Sequence, residues 1–93
     1  MDRKEARALL MDEVGRFRAM TPADLRALIG EAQVKEIKGA SGADYTIETD
    51  VFWDDKQQTT LRVMSSIDDG GLSAWLPMTE NLLVPCDIGD VKS

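Results

Sequence analysis

The chain contains no histidine and one cysteine, Cys86. Without histidine there is no Ser-His-Asp or Cys-His catalysis within one subunit, no histidine-containing zinc site, and no imidazole general base near neutral pH. One cysteine excludes an internal disulfide, a Cys-x-x-Cys redox pair and a four-cysteine zinc site in a single chain, and a lone thiol fits a reducing compartment. No base stands near Cys86 in the sequence to hold it as a thiolate. Aromatic residues are 5% of the chain. No apolar run approaches the roughly 20 residues of a membrane span, and the N-terminus is charged where a signal peptide is apolar. The expectation is a cytoplasmic protein with no membrane segment.

Basic charge is scarce in the second half. Residues 1–43 hold 8 basic and 7 acidic side chains (8 − 7 = +1), whereas residues 44–93 hold 3 basic and 10 acidic ones (3 − 10 = −7), which together make the net charge of −6. Phosphate binding needs a basic patch, so nucleic acid is not expected as a partner. A basic protein surface suits the acidic half better. Phosphate-cradling loops of the Walker or GxGxxG kind are absent too.

What is present reads as a fold. A hydrophobic content of 43% beside 30% charged residues over 93 residues matches one globular domain, numbered 1–93, with a core of its own. Its parts are a helical layer over residues 1–30, an antiparallel sheet over 33–85 and a flexible tail over 87–93. From Tyr45 onward the apolar residues keep one parity: Tyr45, Ile47, Thr49, Val51 and Trp53 alternate with Thr46, Glu48, Asp50 and Phe52. The alternation resumes at Thr59, Leu61, Val63, Ser65 and Ile67, and again at Leu72, Ala74 and Leu76. This period of two is that of strands with one buried face. Asp69-Gly70 between two such runs predicts a hairpin that sets Ile67 against Leu72, Ser65 against Ala74 and Val63 against Leu76. Pairing Trp53 with Thr59 across a loop of residues 54–58 keeps parity in the first hairpin, placing Val51 opposite Leu61, Thr49 opposite Val63 and Asp50 opposite Arg62.

Ala6, Leu9, Leu10, Val14, Phe17 and Met20 recur by threes and fours, so residues 3–20 read as an amphipathic helix. Thr21-Pro22 begins a second helix, with threonine as N-cap, proline in the first position and Asp24 in the first turn, and Gly30 stops it. Met20 and Leu25 stand at the two staple positions. Val34–Lys38 reads as an edge strand, bulged because Val34 and Ile37 differ in parity and guarded by its lysines. Pro77 ends or edges the fourth strand, and Leu82-Leu83-Val84 forms a short fifth one. The fold class is therefore α+β, in two layers: an N-terminal helical hairpin or bent helix packed on a four- to five-stranded antiparallel meander.

The candidate functional residues lie on the outer sheet face. Phe52, Met64 and Trp75 form an interaction surface, since tryptophan and methionine are enriched where proteins recognise one another. Glu48, Asp50 and Arg62 share that face, and Asp68 and Asp69 stand at a hairpin tip. Together they are the set available for a ligand or a cation. Aspartates at hairpin tips, Asp54 and Asp55 included, are also turn formers that cap backbone N–H groups. Neither pair has an EF-hand spacing, so no metal and no cofactor is expected.

Val51-Phe52-Trp53-Asp54-Asp55, then Leu61-Arg62-Val63-Met64-Ser65-Ser66-Ile67-Asp68-Asp69-Gly70-Gly71, then Leu76-Pro77-Met78-Thr79 resembles a group of small bacterial proteins of unknown function. That resemblance implies a bacterial cytosolic origin and carries no activity with it. The order of a helix before a meander is also similar to that of cystatin-like folds and small secretion chaperones, an analogy of fold alone. The reading that follows is a non-enzymatic protein-interaction module, with a protein partner or a homodimer joined through the face of Met64 and Trp75. Two others stand beside it: a ligand- or metal-binding protein or enzyme using the acidic face and aspartate turns, and a structural domain with no separate site.

Overall fold

The computed structural model describes residues 2–70 and 78–86. Helix α1 spans Arg3–Arg18 and α2 spans Pro22–Arg26; strands β1 (Gln33–Lys38), β2 (Asp44–Trp53), β3 (Thr60–Asp68) and β4 (Met78–Pro85) follow. The strands form one antiparallel sheet in the order β1-β2-β3-β4, and the helices pack on one face of it. This is the expected two-layer α+β fold. No helix among the described residues is long and apolar enough to cross a membrane.

Both helices begin where their caps place them. Asp2 accepts the Glu5 N–H at 3.0 Å and Thr21 accepts the Asp24 N–H at 3.1 Å, with Pro22 at the first helical position. Each cap satisfies a donor that the first turn cannot pair internally. Gly30, at φ 87°, takes the left-handed conformation that terminates the helical segment.

Odd-numbered residues of β2 and β3 face the helices. Two apolar clusters result: Ala6 and Leu10 of α1 with Tyr45, Ile47, Ile67 and Met78, and Phe17 and Leu25 with Val51, Leu61 and Val63. Met20 packs into the second, so the staple joins the helices to the same core. Fully burying a side chain such as Phe17 or Leu61 contributes on the order of 1.5–3 kcal/mol each.

The turn between β1 and β2 is held from α1. The Glu5 carboxylate accepts the Ser41 N–H at 2.9 Å, the Ser41 hydroxyl at 2.7 Å and the Tyr45 hydroxyl at 2.7 Å. It lies so close to Gly39 that a Cβ there would come within 2.6 Å of it, so any larger residue would have to displace the carboxylate from these hydrogen bonds. These hydrogen bonds, the Ser41 hydroxyl's first, hold Glu5 below the usual carboxylate range. In return the hydrogen bond to Glu5, with burial and the nearby negative charge behind it, pushes the Tyr45 phenol up to about 12.

Four sequence expectations are corrected. In the first hairpin Trp53 pairs with Leu61, Val51 with Val63 and Thr49 with Ser65, two residues away from the register that sets Trp53 against Thr59. Parity survives the shift, and hydroxyls decide it: Thr49 and Ser65, both buried, hydrogen-bond at 2.7 Å, whereas Thr49 beside Val63 would bury both without partners, at about 1–3 kcal/mol each. The longer connection is closed by Asp55, which accepts the N–H groups of Thr59 and Thr60 and the Thr59 hydroxyl.

The second correction concerns the neighbour of β3. Ile67 pairs with Met78, Val63 with Leu82 and Leu61 with Val84, so among the described residues the neighbour of β3 is the segment read as a short fifth strand. Met78, Leu82 and Val84 give the inward face of β3 three apolar neighbours in one run. The expected strand Leu72–Leu76, the hairpin partner it supplies, Pro77 and the tail 87–93 lie outside the described residues.

Third, β1 carries no bulge: its pairing runs unbroken from Gln33↔Thr49 to Lys38↔Asp44. Val34 simply faces outward, 63% exposed, while Ile37 packs on the first cluster. Fourth, the outer-face pairs change with the register. Asp50 stands opposite Met64, not Arg62, and Glu48 stands opposite Ser66.

Candidate functional site: the outer sheet face

The face turned away from the helices is assembled from even-numbered residues of β1 to β3 and odd-numbered residues of β4. Three of its rows matter most. Phe52, Arg62 and Leu83 form one, Asp50, Met64 and Asn81 the next, and Val34, Glu48, Ser66 and Thr79 the third. Directly opposed side chains in such rows lie about 4.5–5.5 Å apart at Cβ, with diagonal neighbours about 7–8 Å apart. Phe52, Met64 and Leu83 therefore surround Arg62.

Arg62 is fixed within this apolar trio. Its guanidinium contacts the Asp54 carboxylate at 2.6 and 2.8 Å and donates to the Asn81 side-chain oxygen at 3.0 Å. A paired, oriented guanidinium extends an apolar patch more readily than a free one, because its charge is already answered. Leu83 is 50% exposed, and Phe52 and Met64 are half-buried.

The other end of the face is acidic. Glu36, Glu48, Asp50 and Asp68 lie there, and among the described residues none of them makes an ion pair; the nearby lysine, Lys38, is bound to Asp44 at 2.8 Å. Apolar and acidic halves thus adjoin on one surface.

Of the residues singled out from the sequence, Phe52, Met64, Glu48, Asp50 and Arg62 do share this face, and Trp75 lies outside the described residues. Asp68 ends β3 opposite Thr46, and its carboxylate accepts the Gly70 N–H at 2.9 Å, as a turn former does. Asp69 instead lines a depression of about 480 Å³ with Glu36, Ile37, Lys38, Asp44, Tyr45, Thr46 and Gly70. Glu48, Asp50 and Arg62 are not in its lining, so the ligand set of the sequence reading is divided between two places. No group of three or more potential metal ligands occurs among the described residues. Asp54 and Asp55 work as an arginine clamp and a loop cap.

Leu83 and Asn81 were missed, and a signal for both exists. Met78, Glu80, Leu82 and Val84 alternate with Thr79, Asn81 and Leu83, a full strand period masked by the run Leu82-Leu83-Val84.

No family model, curated protein or solved structure matches the chain.

Proposed function

We propose that this protein is a non-enzymatic interaction module whose outer sheet face receives a protein segment combining apolar with basic side chains. The observation that carries this reading is the adjacency of the Phe52–Met64–Leu83 trio to four carboxylates without ion-pair partners among the described residues. A second copy laid face to face would set those carboxylates against one another, whereas a basic partner relieves them, and complementary charge speeds encounter and rejects wrong partners. The apolar trio supplies the desolvated centre that interface energetics require.

A Lys/Leu-alternating peptide and its Glu/Leu counterpart test this when titrated into the isotopically labelled protein and followed by NMR. The cationic peptide shifts amides of Phe52, Met64 and Asn81, weakens with added salt, and loses its effect in Phe52→Ser. Shifts confined to the depression around Asp69, or equal shifts with both peptides, would overturn it.

A further inference from the structure

The outer edge of β4, open among the described residues, is built differently from that of β1. The Cys86 N–H donates to the Thr59 carbonyl at 2.7 Å, in phase with the pairing of Thr60 and Pro85. Hydrogen-bonded positions alternate in an antiparallel pair. Val84, Leu82 and Glu80 therefore direct their backbone groups at β3, while Leu83, Asn81 and Thr79 direct theirs away from the sheet. Among the described residues β4 has a strand neighbour on one side only.

An open edge invites another strand unless charge or proline guards it. The six residues of β1 include Lys35, Glu36 and Lys38, and a twofold centred on Lys35 or Glu36 would oppose like charges. In β4 the charged residue is Glu80, and Arg7 of α1 answers it at 3.8 Å. Apolar side chains flank the same edge on both faces. Leu83 is 50% exposed on the outer one; Met11, 40% exposed, lies one helical turn beyond Arg7 on the flank of α1 that reaches β4.

We infer that β4 pairs antiparallel with β4 of a second copy about a twofold axis at Asn81, joining two sheets into one. Parity and phase select this register. Because the axis is normal to the sheet, opposed residues must face the same side, so the two numbers sum to an even value. A sum of 160 sets Glu80 against Glu80. A sum of 164 brings Pro85, which has no N–H, opposite Thr79. At 162, Asn81 meets Asn81 and Thr79 meets Leu83, each exchanging both backbone bonds, while Glu80 meets Leu82 and Met78 meets Val84. No like charges are opposed.

The geometry also brings the helices together. Helix α1 packs over both β3 and β4, so with strands about 4.8 Å apart its axis and that of its twin lie about 10 Å from each other, a helix-packing distance. Met11 is on the facing flank.

Light scattering on the full chain tests the inference. The wild type is expected at twice its 10.3 kDa. Asn81→Pro, which removes an N–H aimed away from β3, and Leu83→Lys are expected at the monomer mass, with circular dichroism unchanged; Val34→Lys on the opposite edge is expected to remain a dimer. Amide exchange gives a second readout: in the wild type, protection of Thr79, Asn81 and Leu83 rises with concentration. A wild-type monomer throughout the accessible concentrations, or a dimer that survives both β4 variants without that protection, would overturn it. Neither result bears on peptide binding at Phe52, so this inference and the proposed function fail separately.

Discussion

Thr49 Oγ1 and Ser65 Oγ lie 2.7 Å apart, facing the helices, at the sheet level between the two apolar clusters. The pair divides the core and ties β2 to β3 in one register, since each hydroxyl is the other's buried partner. Replacing one leaves the other unsatisfied. Thr49→Val or Ser65→Ala alone should cost about 1–3 kcal/mol, while the double variant should cost clearly less than the sum. Denaturant unfolding of the three variants measures this; strict additivity would show that the hydroxyls do not depend on each other.

Glu13 is 5% exposed and accepts from Arg16 at 2.7 Å and Lys35 at 3.3 Å. The Arg16 hydrogen bond, with that of Lys35, outweighs burial and lowers its pKa. A carboxylate with a depressed folded pKa stabilises above its unfolded pKa and loses that contribution as pH falls through the folded one. At neutral pH Glu13→Gln should lose about 1–2 kcal/mol, discounted because both cations are half exposed. The difference from wild type should shrink on acidification below the usual carboxylate range. A gap that stays constant into strong acid would contradict this.

Tyr45 is the chain's single tyrosine, so its phenolate absorbance reports one group. Its pKa is raised to about 12 by the hydrogen bond to Glu5. A raised folded pKa means stability present in full below the unfolded value and lost as pH rises through the folded one. Spectrophotometric titration should place the wild-type midpoint well above that of Glu5→Gln, which should fall toward about 10. Equal midpoints would remove Glu5 as the cause.

Gln58, in the loop between β2 and β3, has φ 60°. A side chain there is strained by about 1–2 kcal/mol, offset in part by the greater freedom glycine has when unfolded, about 0.5–1 kcal/mol. Gln58→Gly should therefore raise stability by a few tenths to about 1 kcal/mol in denaturant unfolding. A loss would mean that the Gln58 side chain contributes contacts of its own.

Period and capping chemistry are local properties, and they were legible residue by residue. Asp2 apart, the second helix start at Thr21-Pro22, the glycine stop and the inward parity of Tyr45 to Ile67 all follow from side chains within a few positions of one another. Membership of the outer face was legible too, since parity alone assigns Phe52, Met64, Glu48, Asp50 and Arg62 to one side.

Register is not local. Parity admits every shift of two, so the sequence by itself determined the faces of the strands and left their longitudinal positions open. Only the assembled core chose, by placing Thr49 beside Ser65, where two buried hydroxyls satisfy each other, and by giving β3 the strand Met78–Pro85 as its neighbour. That choice moved Arg62 from Asp50 to Asp54 and brought Leu83 and Asn81 beside it. The candidate surface is thus a tertiary product: its residues come from strands far apart in the chain, and the energy that aligns them is spent on the opposite face of the sheet.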